Sequence, residues 1–420
     1  MASESILVIN AGSSSIKFTL FDVEAGEVSL HYDGRIQPDT ISFDLFLQPS
    51  VGIDKEYGGQ VEGIGTAPTF KAKDRENELV YEETWDAGER SSGHQVALEK
   101  LMNWLDDHLG DTTLIGVGHR VVHGGTEYAA PTIVNDEVLQ QLESYTVLAP
   151  LHQPNCLAGI RAMLAMRPDL PQVACFDTAF HRNHPLVADQ FALPYELYEE
   201  GVRRYGFHGL SYAYIARTLP TIAPELADGR VVVAHLGSGA SMCAIKGGQS
   251  MDSTMGFTAL DGLPMGTRCG NLDPGAVLYM LQEKGMDAKQ IEDVLYRRSG
   301  LLGLSGISND MRDLENNPDP RAAQAIDYFT YRITRELGAL AAAIGGIDAL
   351  VFTAGIGENS AMIRARVCRA AAWLGIELDE AANSQRAQRI STASSKVAVY
   401  VIPTDEEKMI ALDTLRLLRS

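Results

Sequence analysis

Arginine and histidine residues next to glycine form the first group of candidate functional side chains. Arg120 lies between two histidines just after the apolar run 115–117, His208 lies between two glycines, and Arg268 stands in the glycine-containing segment 265–270. Sites are commonly built where strands end, and guanidinium groups bind carboxylate and phosphate oxygens. A lone arginine such as Arg120 is more often part of a surface ion pair, so that alternative stays open. The three residues predict an anion site, with Arg120 as a candidate carboxylate clamp.

Asp177 is the candidate carboxylate of this site, because it follows the apolar run 173–176. A carboxylate there can orient an arginine or a metal-bound water, or it can cap the following turn, and the sequence leaves both roles open. The net charge is −20, from 35 Lys and Arg against 55 Asp and Glu. This charge argues against binding to nucleic acid or to an anionic membrane. An anionic ligand must therefore be bound by a few placed cations and by backbone N–H groups.

Two similar hairpins indicate that the chain is duplicated. Apolar runs flank the Gly/Ser-rich segment 10–15, and the same pattern returns around the segment 235–241. Each predicts two strands joined by a tip that exposes N–H and hydroxyl donors. One such tip alone is often merely a turn, but two tips facing one another across a cleft would bind a polyphosphate. The 420 residues also exceed one ordinary core, which favours two domains.

A third glycine loop is predicted at 354–360, between a strand over 348–353 and a helix over 361–374. Strand, glycine turn and helix place a ligand at a helix N-terminus. Gly355 and Gly357, with Glu377 further on, also approach a dinucleotide-binding fingerprint, although its third glycine is missing. No P-loop pattern occurs in the sequence. A nucleoside phosphate site is therefore expected to be of the duplicated-hairpin kind.

The remaining patterns place elements and exclude other chemistries. Helices are predicted over 136–145, 276–284, 321–343 and 406–418, and connectors at Pro150, Pro154 and Pro171. The stretch 38–89 has little periodicity and reads as a loop-rich elaboration without a functional account. No H-E-x-x-H or G-x-S-x-G motif supports a zinc or serine hydrolase. The five cysteines are expected to be buried free thiols, and the absence of a leader or long apolar stretch predicts a cytoplasmic protein.

Eight motifs together resemble the acetate kinase family. NAGSSSIKF, GHRVVHGG, FDTAFH, RRYGFHG, HLGSGAS, MGTRCG, TAGIGEN and IPTDEE occur in the order and spacing of that family over essentially the whole chain. The family belongs to the superfamily of sugar kinases, actin and the large heat-shock chaperones. The resemblance implies an α/β, duplicated ribonuclease-H-like (actin-like ATPase) fold with the active site in the cleft between two domains. The implied domains are 1–180 plus 405–420, and 181–404.

The resemblance also implies substrates, partners and site residues. The substrates would be acetate or acetyl phosphate and ATP or ADP, the cofactor magnesium, for which manganese can substitute, and the assembly a homodimer. Asp177 would be the catalytic carboxylate, His208 would donate to the phosphoryl group, and Arg120 and Arg268 would bind the acyl carboxylate and the phosphoryl group. Asn10 and Glu406 would place the metal. The implied ATP-binding residues are Ser13, Ser15, Lys17, His235, Leu236, Gly237, Ser238, Gly239, Asp310, Met311, Arg312, Gly355, Ile356, Gly357, Glu358 and Asn359.

Two departures from the family sequence pattern, and one alternative class of protein, limit what the resemblance implies. Ser238 stands where the family usually has asparagine, which removes an amide at the second phosphate loop. Ala259 stands where the family usually has proline, in a segment expected near the acyl pocket, so propionate or another short acid is the alternative substrate. An actin-like or chaperone-like ATPase would share the hairpins but would not need Arg120, His208 and Arg268 together, because its acceptor is water.

Overall fold

The computed structural model describes residues 4–12, 15–23, 53–62, 68–85, 94–110, 112–150 and 152–420. Contacts divide the chain into two compact units: unit 1 is Met1–Val121, Pro131–Cys175 and Glu407–Ser420, and unit 2 is Val122–Ala130 and Phe176–Glu406. The domain boundaries at 180 and 405 stay a prediction. The contact units differ from them mainly by assigning 122–130 to unit 2.

Among the described residues, unit 1 contains a mixed eight-stranded sheet, three helices that precede residue 175, and all but the first residue of the C-terminal helix Glu406–Arg419. In the sheet the strand order is β5-β4-β3-β2-β1-β6-β8-β7. The strands are β1 (Glu4–Ala11), β2 (Ser15–Val23), β3 (Ile53–Glu62), β4 (Thr69–Asp74), β5 (Leu79–Thr84), β6 (Thr113–Val121), β7 (Thr132–Ile133) and β8 (Gln172–Phe176). The helices are α1 (His94–His108), α2 (Asp136–Ser144) and α3 (Gln153–Met166).

Unit 2 contains a five-stranded sheet and most of the helices. Its helices are α4 (Leu186–Asp189), α5 (Tyr195–Glu199), α6 (Gly209–Ile222), α7 (Pro274–Gln282), α8 (Ala288–Arg297), α9 (Gly300–Ser305), α10 (Met311–Glu315), α11 (Pro320–Ala343), α12 (Ala354–Asn359), α13 (Ala361–Ala370) and α14 (Glu380–Ser384). Its strands are β9 (Arg230–Leu236), β10 (Ala240–Lys246), β11 (Gln249–Ser253), β12 (Ala349–Thr353) and β13 (Ala398–Val401). Short 3₁₀ turns occur at Tyr145–Val147, Ala179–His181, Pro224–Leu226 and Ala372–Leu374, and α15 (Glu406–Arg419) ends the chain.

The two sheets repeat one topology, which confirms the predicted duplicated α/β fold. In unit 1, β1 pairs antiparallel with β2 and parallel with β6. In unit 2, β9 pairs antiparallel with β10 and parallel with β12. The third strand of each meander, β3 or β11, lies on the outer side of the hairpin. Each unit therefore has a β-hairpin beside a parallel strand.

The central strands are buried along their length, as parallel strands covered on both faces must be. All five residues of β8 and of β12 are buried, as are six of the seven residues in β9. In unit 1 the hairpin residues Leu7, Ile9 and Phe18 pack in one core cluster with Leu98 and Leu105 of α1. The hairpin tips are thus carried by rigid, buried strands.

Of the five predicted helices, four are confirmed as α2, α7, α11 and α15, with ends shifted by no more than two residues, while the one predicted over 361–374 is α13 and ends four residues earlier, before the 3₁₀ turn Ala372–Leu374. Asn135 caps α2 by accepting from Val138 N, and Asp319 and Pro320 begin α11. Within the described part of the chain, no helix combines the length and apolar character needed to cross a membrane.

Four local predictions were wrong. Within 38–89, the described residues form the strands β3, β4 and β5 of an antiparallel meander. Their polar residues conceal the alternation of apolar and polar positions that would have predicted strands. Pro154 is no connector but lies in the first turn of α3, where a missing N–H is tolerated. The glycine loop at 354–360 is largely the short helix α12. Cys269 is half-buried, whereas the other four cysteines are buried as expected.

Candidate active site

The tip of the second hairpin is the centre of the candidate site in unit 2. Leu236 pairs with Ala240, and Gly237 N donates to Gly239 O at 3.0 Å, so the tip is only 237–239. A Cβ placed on Gly239 would lie 2.9 Å from Arg268 Nη2 and 3.3 Å from His208 Nε2. The absence of a Cβ at this position lets two side chains approach the backbone closely. The structure therefore brings His208 and Arg268 together over the tip.

His208 is positioned by an unusual start of α6. It is the residue before the helix and has a left-handed φ of 58°. The next residue, Gly209, donates its N–H to Asp177 O at 2.8 Å, and a Cβ on it would lie 2.3 Å from that oxygen. The glycine therefore lets α6 begin against the backbone of Asp177. This contact explains why the histidine stands next to glycine in the sequence.

The ring of His208 is held on two sides. Its Nδ1 lies 2.8 Å from Ser241 Oγ, and its plane stacks on His235 with centroids 4.2 Å apart and 19° between the planes. His235 is buried in β9, and its own Nδ1 lies 2.8 Å from Ser211 Oγ. The predicted ligand-facing histidine is thus half-buried and fixed by neighbours, which suits a residue that must aim one nitrogen.

Arg268 lies in a turn that is fastened to the hairpin tip. Gly266 N donates to Ser238 O at 3.1 Å, and Met265 N donates to Arg268 O at 3.0 Å. The guanidinium Nη1 donates to Ala259 O at 2.7 Å. Ala259, one of the two departures from the family pattern, therefore holds Arg268 through its carbonyl. Ser238, the other departure, serves the turn through its backbone, so its shorter side chain leaves this bond intact.

Asp177 follows β8 and is buried, with 2% of its surface exposed. The 3₁₀ turn Ala179–His181 begins two residues later, and Thr178 Oγ1 accepts from Gly124 N at 3.1 Å. Asp177 thus lies at the end of a central strand and supports α6 through its carbonyl oxygen. A carboxylate at this place is fixed with respect to His208.

The predicted adenosine segments lie next to the same tip. Asp310 caps α10 by accepting from Arg312 N at 2.9 Å, while Met311 is buried. The Arg312 side chain pairs with Asp310 and is 88% exposed. The preceding residue, Asn309, lies close to the turn that carries Arg268, since a Cβ on Gly266 would lie 3.1 Å from Asn309 O. This contact places the segment 310–312 near the hairpin tip.

The segment 355–359 reaches the tip from β12. Ala354 has a left-handed φ of 64°, and a Cβ on Gly237 would lie 3.7 Å from Ala354 Cβ and 4.0 Å from Gly355 N. Asn359 Nδ2 donates to Gly355 O at 2.8 Å and closes α12 on itself. Ile356 is half-buried, Gly357 is buried, and Gly355 and Asn359 are exposed. The start of α12 and the phosphate hairpin therefore form one surface of unit 2.

Arg364 is a residue that the motifs did not indicate. It is fully buried in α13 and donates to Gly357 O at 2.9 Å, to Glu358 O at 2.8 Å and to Asn383 Oδ1 at 2.8 Å. Burial, with the charge of Arg386 as a smaller cause, lowers the pKa of Arg364. The available signal was its spacing, because Ser360, Arg364 and Cys368 recur every four residues on the buried face of α13.

A buried ion cluster also precedes His208. Asp189 accepts from Tyr198 OH at 2.9 Å and lies 2.7 Å from His184 Nε2 and 3.4 Å from Arg182 Nη2. Burial raises the pKa of Asp189, but the hydrogen bonds and the charge of Arg182 outweigh it and leave the pKa at about 2. Arg182 also donates to Tyr205 O at 3.1 Å. The cluster therefore fixes the backbone that leads into the His208 segment.

The predicted residues of unit 1 lie at the ends of its central strands. Asn10 pairs with Lys17 across the first hairpin; Asn10 is half-buried and Lys17 is exposed. Gly12 N donates to Ser15 O at 2.8 Å, and Ser13 lies outside the described residues. Arg120 is half-buried near the end of β6. The first hairpin therefore presents an amide and an ammonium group side by side.

The predicted metal ligands carry side-chain oxygen atoms. Asn10 and Glu406, the predicted ligands, offer an amide oxygen and a carboxylate, and Glu406 is half-buried at the start of α15. Among the described residues, no group of three or more His, Cys, Asp or Glu could hold a metal ion. Magnesium typically uses one or two protein oxygens with water and substrate phosphates. Asn10 lies in unit 1 and Glu406 in unit 2, and each carries an oxygen atom of the kind that magnesium prefers.

Comparisons with known proteins agree along the whole chain. The model of the acetokinase family matches residues 5–412. The acetate kinase of Nitrobacter hamburgensis is 54% identical over 415 residues, which cover 99% of this chain and 96% of that protein. A crystal structure of Porphyromonas gingivalis acetate kinase matches with a TM-score of 0.83 at 36% identity, covering 100% of both chains. A propionate kinase structure from Francisella tularensis gives a TM-score of 0.84 at 34% identity, covering 99% of this chain and 100% of that one.

Proposed function

Because the chain belongs to the acetokinase family, we propose that it catalyses the reversible transfer of a phosphoryl group from ATP to acetate, giving acetyl phosphate and ADP. The geometric observation that supports this is the approach of Arg268 Nη2 and His208 Nε2 to the backbone of Gly239. A guanidinium group, which is permanently cationic, and a ring nitrogen of histidine lie over a glycine tip that is proposed to bind phosphate. This arrangement suits charge neutralisation in phosphoryl transfer.

The acceptor chemistry explains why no strong base is needed. A carboxylate is already ionised at neutral pH, so the reaction requires two anions to be brought together. Arg120 is proposed to bind the acyl carboxylate, and Arg268 and His208 to donate to the phosphoryl oxygens. Asp177 is proposed to orient these cations rather than to accept a proton, although the family resemblance labels it catalytic. Direct in-line transfer follows, because no further nucleophile is needed.

The nucleotide is proposed to lie on the surface around the second hairpin. The tip 237–239 would bind phosphates, and 310–312 with 355–359 would hold the adenosine. Lys17 and Ser15 are proposed to bind phosphate oxygens as well. Magnesium, when held by Asn10 and Glu406 directly or through water, would neutralise phosphate charge. Manganese is expected to substitute, since both ions prefer oxygen ligands.

Propionate is the second candidate acceptor. Ala259 stands where the family usually has the bulkier proline, and its carbonyl oxygen accepts from Arg268 Nη1. Its smaller side chain, next to an arginine proposed to bind the transferred phosphoryl group, is proposed to leave room for one more carbon on the acyl substrate. One methylene changes discrimination by only about 1–3 kcal/mol. The propionate kinase relative at 34% identity is compatible with this reading. Ala259→Pro is therefore expected to lower the propionate/acetate ratio of kcat/KM without abolishing turnover of acetate.

A homodimer is proposed because the helix α7 exposes apolar side chains. None of the residues of α7 is buried, although its sequence is PGAVLYMLQ. Leu278, Tyr279 and Leu281 are each about half exposed. Such a helix on a soluble unit typically marks an interface between chains. Sedimentation of the native protein and of Leu278→Glu should show a dimer and a monomer, respectively; a monomeric native protein would contradict the proposal.

A coupled assay tests the proposed reaction most directly. The native protein is incubated with ATP, magnesium and acetate, propionate or butyrate, and ADP and acyl phosphate are measured separately. Acyl phosphate is expected to form in step with ADP and only with a carboxylate present. ATP hydrolysis that is equally fast without any carboxylate would instead support the actin-like or chaperone-like ATPase. Arg369→Ala, an exposed arginine paired with Glu380, is a suitable control variant.

A further inference from the structure

A chain of three side chains lies behind His208 in unit 2. His208 Nδ1 is 2.8 Å from Ser241 Oγ, and Ser241 Oγ is in turn hydrogen-bonded to the hydroxyl of Tyr212. Ser241 in β10 and Tyr212 in α6 are both fully buried. Since water does not reach these two hydroxyl groups, their protons must be shared within the chain.

The direction of these hydrogen bonds follows from Tyr212. Burial raises the pKa of Tyr212 well above 10, so the phenol is neutral and carries a proton to donate. Among the described residues, Ser241 Oγ is the hydrogen-bond partner of that phenol. A buried O–H without an acceptor is unfavourable, so Tyr212 donates to Ser241. The proton of Ser241 is then directed to His208 Nδ1, which must offer a lone pair.

The other nitrogen of His208 points at the phosphate hairpin. A Cβ on Gly239 would lie 3.3 Å from His208 Nε2 and 2.9 Å from Arg268 Nη2. If Nδ1 accepts a hydrogen bond from the Ser241 hydroxyl, the single ring proton of a neutral histidine is on Nε2. A lone pair at Nε2 would instead repel phosphoryl oxygens. The orientation of the chain therefore decides whether His208 attracts or repels the group that is transferred.

A second series of hydrogen bonds leads to the Nδ1 atom of His235, the ring that stacks on His208. Thr404 Oγ1 donates to Ser211 Oγ at 2.9 Å, and Ser211 Oγ lies 2.8 Å from His235 Nδ1. His235 is thereby also favoured as the neutral Nε2–H form. Two charged rings with centroids 4.2 Å apart would repel one another, so the two chains are mutually consistent.

We propose that Tyr212 and Ser241 are positioning residues that hold His208 as the neutral Nε2–H tautomer and so present an N–H to the phosphoryl group. The catalytic consequence rests on the proposed function, whereas the tautomer does not. The charged and titratable groups around this chain in unit 2 support it. Arg268 and His235 lie close enough to disfavour a positive charge on His208. The charge of Glu406 favours the neutral form of Tyr212.

Ring-nitrogen NMR of the resting, full-length protein tests the tautomer. The protein is labelled with ¹⁵N in the histidine rings, and His208 is assigned by the loss of its signals in His208→Asn. We expect the shift of an unprotonated nitrogen at Nδ1 and of a protonated nitrogen at Nε2. In Tyr212→Phe, Ser241 can also accept from Nδ1–H, so the two shifts should move toward each other. A native Nδ1–H or a doubly protonated ring would overturn the proposal, as would an unchanged spectrum in Tyr212→Phe.

Kinetics of the same variants test the consequence. Tyr212→Phe is expected to lower kcat about 3- to 10-fold, which corresponds to one lost hydrogen bond, with the KM values for ATP and acetate changed by less than about 2-fold. Tyr214→Phe removes a hydroxyl from the same helix, at a half-buried residue, and should leave kcat and the His208 shifts unchanged.

Ser241→Ala keeps the test decisive if Tyr212→Phe folds poorly. It removes the donor to Nδ1 and should give the same NMR change and a similar loss of kcat, with KM again retained. A loss confined to thermal stability, with native shifts and native kcat, would show that the chain is only structural. If the native tautomer is Nε2–H but no carboxylate kinase activity is found, the proposed function fails while the tautomer assignment stands.

Discussion

His208 and His235 stack with ring centroids 4.2 Å apart and 19° between their planes. At that separation, two imidazolium charges would repel by about 4 kcal/mol at an effective dielectric constant of about 20. This stacking geometry therefore disfavours a positive charge on both rings at once. The stack also gives the ring of His208 lateral support from His235, so we expect His235 to affect the proposed reaction through its neighbour.

Removal of the stacked ring should therefore reduce turnover. His235→Ala is expected to lower kcat by up to about 10²-fold, because the ring of His208 loses its lateral support. His235→Phe keeps a ring at that place and should lose no more than about 5-fold. Steady-state kinetics with both variants checks this. Equal losses in the two would show that the Nδ1 contact to Ser211, and not the stack, is what matters.

Arg268 is expected to be essential for turnover. Arg268→Ala should lower kcat by about 10³-fold or more, as for other arginines that neutralise a phosphoryl transition state. Arg268→Lys retains the charge but not the fork that binds Ala259 O, so it should recover only part of the loss. Single-turnover measurements separate this effect from product release. Near-native turnover in Arg268→Ala would mean that this arginine only holds its own turn.

Arg120 should affect the acyl substrate more than the nucleotide. Arg120→Ala is expected to raise the KM for acetate by about 10-fold or more, since a hydrogen bond to a charged group contributes about 1.5–3 kcal/mol. The KM for ATP should change by less than about 3-fold. Initial rates over a matrix of both substrates give the two constants. A rise in the ATP constant alone would assign Arg120 to the nucleotide instead.

The sequence predicted those parts of the fold and site that depend on local pattern. The hairpins around 10–15 and 235–241 were visible because apolar runs flank short Gly/Ser tips, and β1 with β2 and β9 with β10 confirm them. The helix α12 was missed because its glycines favour a loop locally. Its stability comes from Arg364, which binds two of its carbonyl groups and lies outside the motif.

Other contacts could not be predicted because they join residues far apart in the chain. The bond from Gly266 N to Ser238 O and the approach of Asn309 O to Gly266 join backbone atoms. Because the side chains of the partner residues do not form these contacts, the sequence does not reveal them. The meander β3 to β5 was missed for a different reason. Its strand β3 contains IDKEYGGQVE, whose charges and glycines conceal the alternation expected of a strand.

Arg364 should support both stability and nucleotide binding. Arg364→Met removes the donors to Gly357 O and Glu358 O, and it is expected to lower the free energy of unfolding by about 2–4 kcal/mol. The KM for ATP should rise, because 355–359 loses its support. Arg366→Met is the matched control two residues on, since Arg366 is only half-buried and pairs with the exposed Asp327; it should cost at most about 1 kcal/mol. Urea unfolding and ATP kinetics are measured for both variants. Equal effects of Arg364→Met and Arg366→Met would contradict the proposed support of 355–359 by Arg364.

Acid should destabilise the protein through three buried histidines. Burial is the main cause that lowers the pKa of His119 to about 4 and those of His123 and His181 to about 3. Their pKa in the unfolded chain is near 6.5, so the unfolded state binds protons that the folded state excludes. The stability contributed by their neutral forms is complete above that value and is lost as pH falls from 6.5 toward 4 and 3. Each should cost about 1.4 kcal/mol per pH unit in that window.

One of these histidines can be replaced without losing its hydrogen bond. His119 Nε2 lies 2.8 Å from Gln172 Oε1, and the amide of His119→Gln can donate to the same oxygen without titrating. The slope of unfolding free energy against pH, measured by urea titration between about pH 7.5 and about pH 5, should become shallower by the share of one histidine. His152→Gln, at an exposed position, should keep the native slope. An identical slope in His119→Gln would mean that His119 does not stay neutral in the folded protein.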